Sequence, residues 1–157
     1  MRVAFRFAFV PAFRIETVFL REAAMSYPIS KIPDIDAATA AKLRAQRIRT
    51  TAKLLESAKD PRGRQLLAEK IGVDECTVLA WANAADRMRI KGIGDDYARL
   101  LGEVGVTVRE LKYRNPKNLA QAMAKANKNG AVRFLPSEKA VKKWIERAKT
   151  LPLKISY

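Results

Sequence analysis

Four aspartates, two glycines and a run of cations are the residues here whose types and spacing suit chemistry. Asp34/Asp36 and Asp95/Asp96 are carboxylate pairs of the kind that hold Mg²⁺ for phosphodiester chemistry. Each pair also falls at a predicted helix start, where aspartate caps exposed N–H groups. Gly92-Ile93-Gly94 offers a second chemistry. Glycines let the backbone turn sharply, and N–H groups left bare at a helix start attract an anion. Arg87, Arg89 and Lys91 precede that turn and suit a phosphate. The absences narrow the field. The 157 residues contain no histidine, which removes the commonest general acid/base, every Ser-His or Cys-His pair and every His-ligated metal site. Cys76 is the single cysteine, so neither an internal disulfide nor a thiolate cluster can form. The expectation is a binding protein and not an enzyme, with no cofactor and no metal site.

What must position these residues is a repeat. Ile32-Pro33-Asp34-Ile35-Asp36, followed by Ala40, Leu43 and Ile48, matches Ile90-Lys91-Gly92-Ile93-Gly94, followed by Ala98, Leu101 and Val106, at a constant offset of 58. Further on, Val78, Trp81 and Ala85 match Val141, Trp144 and Ala148 at an offset of 63. Val78, Trp81, Ala82 and Ala85 recur at helical spacing on one face, and Val141, Trp144, Ile145 and Ala148 do the same. Tryptophan in such a setting belongs to the core. Ser137 is the expected N-cap of the last helix, and Gly72 and Gly105 are the expected left-handed residues past two helix ends. The fold reading is all-α, two tandem units of about four short helices each.

The stretch Ile90 to Val106, with its Gly-hydrophobic-Gly turn, Ala98, Leu101 and Gly105, resembles the helix-hairpin-helix motif. The resemblance implies that Ile93 plugs the gap between two short helices, that Ala98 lets them cross closely, and that the turn contacts a nucleic-acid phosphate. The first copy departs from it, because Asp34 and Asp36 replace the glycines and repel a phosphate. That copy is expected to keep the fold without the binding. Residues 26–156 also resemble the bacterial family of domain of unknown function 4332, whose members are tandem helix-hairpin-helix proteins. The stretches that carry this are Pro61-Arg62-Gly63-Arg64, Leu67 to Val73, Leu79 to Asn83, Ala85 to Gly94, Arg114 to Leu119 and the Trp144 helix. No activity is established for that family, so it implies a fold and no site residues.

Charge divides the chain. Residues 26–86 hold ten basic and eight acidic side chains, whereas residues 87–157 hold seventeen and six, out of a total net charge of +15. A basic excess on the half with intact glycines is what nucleic-acid binding requires. The run Lys42, Arg44, Arg47, Arg49 and Lys53 reads as a solvated secondary area. Residues 1–24 stand apart, holding five of the six phenylalanines and arginine as the sole base. They read as an extension outside the fold or as sequence upstream of a true start at Met25, with a membrane-surface anchor and a short segment that packs on the domain as the alternatives. No apolar run approaches the length of a membrane span. The resulting organisation is an extension (1–24), a first, degenerate unit (25–86) and a second, basic unit (87–157). The expected function is cytoplasmic, non-enzymatic contact with nucleic-acid backbone, DNA before RNA, with little sequence preference and no small-molecule substrate. Arg87, Arg89, Lys91, Gly92, Ile93, Gly94, Lys142, Lys143 and Arg147 are the expected site. The alternatives are a protein-interaction module and association with ribosomal or other structured RNA.

Overall fold

Helix ends fix this fold, and most of them are written locally. In the computed structural model, which describes residues 26–157, eight α-helices follow one another. They are α1 (Ala37–Ala45), α2 (Thr51–Ser57), α3 (Pro61–Ile71), α4 (Glu75–Met88), α5 (Asp95–Val104), α6 (Val108–Leu111), α7 (Pro116–Ala126) and α8 (Glu138–Thr150). A 3-10 turn at Ile29–Lys31 precedes them, and the described residues contain no strand, only one bridge between Pro28 and Thr50. The chain is all-α, as expected. The readings made for residues 1–24 and for a start at Met25 lie outside the described residues. No described helix is long and apolar enough to cross a membrane.

Six helices begin at a side chain that accepts a backbone N–H. Asp36, Thr50, Asp60, Thr107, Asn115 and Ser137 serve in turn, and Thr107 forms a reciprocal capping box with Glu110. Pro61 and Pro116 occupy the first helical position, where the missing N–H costs nothing. Gly72 and Gly105 both end their helices at φ 79°, in the left-handed conformation read from the sequence.

The two runs of four helices match down to the dihedral angles. Asp34 (φ 67°) stands 58 residues before Gly92 (φ 102°), and Arg47 (φ 62°) 58 residues before Gly105. Ile48 N–H donates to Leu43 O at 2.9 Å, and Val106 N–H donates to Leu101 O at 3.0 Å. Val78, Trp81 and Ala85 are buried, and so are Val141, Trp144 and Ala148. The runs differ most in their last connection. Three residues, 72–74, join α3 to α4, whereas eleven, 127–137, join α7 to α8.

One apolar core runs through both halves, and α4 is its hub, packed against α2, α3, α5 and α6. The chain after α8 turns back over the first half. Ile155 is buried there, Ser156 N–H donates to Lys59 O at 2.8 Å, and Tyr157 Oη donates to Asn83 Oδ1 at 2.8 Å.

Candidate functional site

The turn between α4 and α5 is built from residues that local sequence makes necessary. Ile90 and Ile93 are buried, and Ile93 N–H donates to Ile90 O at 3.0 Å, which closes a tight bend. Gly92 must be glycine on two counts. Its φ is strongly positive, and a Cβ there would lie 2.9 Å from Trp144 Nε1. Gly94 is different. It is the N-cap of α5 in extended backbone, with open space around its Cα, so no conformational demand makes it glycine. Its lack of a side chain has another effect: the first turn of α5 has no side-chain cap, where Asp36 caps the first turn of α1.

Two of the expected phosphate ligands are not available at this turn. Arg87 is buried, with 8% of its surface exposed. Its Nε donates to Val106 O at 2.8 Å and its Nη1 to Ala98 O at 3.5 Å, in room left by Gly102. It ties α4 to both ends of α5, and burial pushes its pKa down. Arg89 is mostly buried as well. Its guanidinium pairs with Asp86 at 2.6 Å and donates to Pro152 O at 3.2 and 3.3 Å. Burial raises the Asp86 pKa more than Arg89 and Arg87 lower it. Both arginines are structural because the chain folds over them, contrary to the reading that they supply surface charge.

The remaining expected cations are accessible. Lys91, Lys142 and Lys143 are exposed, and Arg147 is half-buried with its Nη1 donating to Lys91 O. That bond brings α8 against the turn. Lys139, Lys143 and Arg147 are spaced four apart on α8, so they form one stripe running away from Gly92. Lys91, Lys139, Lys142 and Lys143 have no ion pair among the described residues.

Other residues complete the site, and the sequence reading passed over them. The Tyr97 ring lies 5.1 Å from that of Trp144, and its hydroxyl donates to Phe134 O at 2.9 Å. Phe134 is 70% exposed, with the Arg133 guanidinium 5.3 Å over its ring. A cavity of about 230 Å³ opens beside the turn, between the start of α5 and Val132-Arg133-Phe134. Asp95 and Asp96 line it, exposed in the first helical turn of α5. The signal that was available is the growth of the repeat offset from 58 to 63, which marks inserted chain before α8.

No curated protein and no solved structure matches the chain. A family model does, from residue 33 to residue 151, a span that takes in both turns, all eight helices and the stripe of cations on α8. The chain belongs to the family described as Domain of unknown function (DUF4332).

Proposed function

We propose that this protein is a non-enzymatic, cytoplasmic nucleic-acid-binding protein that acts through its second half, with the α4–α5 turn in the role of a helix-hairpin-helix contact to backbone phosphate. The observation that carries this is uncompensated charge on the second half. Setting aside Arg87 and Arg89, which are engaged internally, residues 87–157 still hold fifteen cations against six acids. Four exposed lysines lie on this half, Lys91 in the turn and Lys139, Lys142 and Lys143 on the helix that Arg147 brings against it, and Gly94 leaves open space at the start of α5. Electrostatic contact of this kind is insensitive to sequence and sensitive to salt. Among the described residues no three acidic or cysteine side chains gather in a way that holds a metal ion, and the reading uses none.

The test is a fluorescence-anisotropy titration of the full chain against generic DNA over a range of salt concentrations. Lys142→Gln with Lys143→Gln should weaken binding and reduce the salt slope by about 1.8 if each lysine meets one phosphate. The same change at Lys42 and Lys53 should do less. Binding that ignores salt, or none at all, would overturn the proposal in favour of docking on a protein partner.

A further inference from the structure

The loop that distinguishes the second half is fixed from several sides. Asn127 Nδ2 donates to Val132 O at 2.8 Å, and Val132 N–H donates back to Asn127 Oδ1 at 2.9 Å. The Val132 side chain is buried, and the Tyr97 hydroxyl donates to Phe134 O. Yet the tip so fixed is apolar and faces water, with Phe134 70% and Leu135 46% exposed. Anchoring an aromatic ring in solvent does nothing for the core. It does supply a stacking platform, and the guanidinium of Arg133 over the ring adds a cation beside it.

We propose that this loop makes the surface a receptor for an unpaired nucleobase in a single strand. One base stacks on Phe134 above the cavity at the α4–α5 turn, and the neighbouring phosphates lie on Arg133, Lys91, Lys139 and Lys143. The inference rests on the nucleic-acid reading above and names its substrate class. Bases inside a duplex are stacked on one another and do not reach such a ring, whereas every unpaired base has a free face. The same geometry accounts for Asp95 and Asp96. Two carboxylates at the cavity keep the phosphate to the lysine side of the turn, and they accept hydrogen bonds from an exocyclic amino group. Cytosine, adenine and guanine carry that group; thymine and uracil do not. The charge therefore sorts the strand, with phosphate outside on the lysines and the amino edge of the base inside. A protein partner would meet the same Phe134–Leu135 tip, but four unpaired lysines nearby favour a polyanion.

The experiment is anisotropy with the full chain and three fluorescent probes: a short oligo-dC strand, an oligo-dT strand of equal length, and a duplex of equal length. Oligo-dC should bind tightest. Phe134→Ala should lower its affinity at least about fivefold, with duplex affinity and melting temperature unchanged. Phe134→Leu keeps an apolar side chain without a ring face and should behave like alanine; retained affinity in that variant overturns stacking. Asp95→Asn with Asp96→Asn should raise oligo-dT affinity more than oligo-dC affinity and so close the gap between them. Equal affinity for strand and duplex, untouched by Phe134→Ala, overturns the base receptor and leaves the basic-surface reading standing. Absence of salt-dependent binding to all three probes overturns both.

Discussion

Two glycines one residue apart, Gly92 and Gly94, are equivalent in the sequence and unlike in the structure. Gly92→Ala places a Cβ against Trp144 Nε1 at a φ of 102°, so it should cost at least about 1–2 kcal/mol in urea unfolding. Gly94→Ser meets open space and adds the cap that α5 lacks, so it should stay within about 0.5 kcal/mol of the parent, on the stabilising side. Equal losses at both would show that the turn is read wrongly. The difference was not legible because one-dimensional spacing does not reveal which glycine faces Trp144. Arg87 was misread for a related reason. An arginine reads as surface unless its acceptors are known, and Val106 O lies 19 residues away. The carboxylates carry a pH prediction. Burial raises the Asp86 pKa above its ordinary 3.8, so between that value and the folded one Asp86 holds a proton that the unfolded chain has released. Its contribution to stability is present in acid and is lost as pH rises from about 3.8 through the folded value. Asp36 behaves oppositely. Hydrogen bonds from the Thr39 side chain and then from its backbone N–H lower its pKa, so its contribution is present above the ordinary value and is lost as pH falls through the folded one. Carboxyl NMR should show Asp36 titrating at lower pH than Asp86, and the reverse order would refute this account.

At the scale of elements, helix ends were the most legible feature and connections the least. Ser137, Gly72 and Gly105 act within a few residues of themselves, and each does what its sequence position implied. The buried tryptophans were equally legible, since helical spacing alone puts them on an apolar face. The α7–α8 loop was not, because the Tyr97 hydroxyl reaches Phe134 O across 37 residues of sequence and its ring meets Trp144 only in the folded chain. The repeat itself suggests how to test that loop. Replacing residues 127–137 by the Gly-Val-Asp that joins α3 to α4 should preserve helical circular dichroism and α8 packing. Loss of the buried Val132 should cost about 1–2 kcal/mol. A collapse of the helical signal would mean that the loop is needed for the fold and not for what it displays.

The whole molecule is held together by more than α4. After α8, residues 151–157 leave the second half, where Arg89 grips Pro152 O and Lys112 Nζ donates to Leu151 O at 3.3 Å, and reach the first at Lys59 and Asn83, with Ile155 buried between. Arg109 also lies 5.4 Å over the Tyr157 ring. Nothing in Leu-Pro-Leu-Lys-Ile-Ser-Tyr marks such a role, because its partners stand 63, 74 and 97 residues upstream. Deleting residues 152–157 should lower stability by roughly 2–3 kcal/mol, largely through Ile155, and the melting temperature by about 5–10 °C. An unchanged melting temperature would show that the strap contributes nothing.

That strap also orders events in time. Helices that pack on their sequence neighbours form early and fast, whereas a contact across 97 residues waits for a large loop to close. Residues 151–157 should accordingly dock after the rate-limiting step. Ile155→Ala is then expected to raise the unfolding limb of a chevron plot and leave the refolding limb in place, and a slowed refolding limb would place the strap inside the nucleus. On this account the segment that joins the two halves governs how long the native state lasts once formed, and has no part in how quickly it is reached.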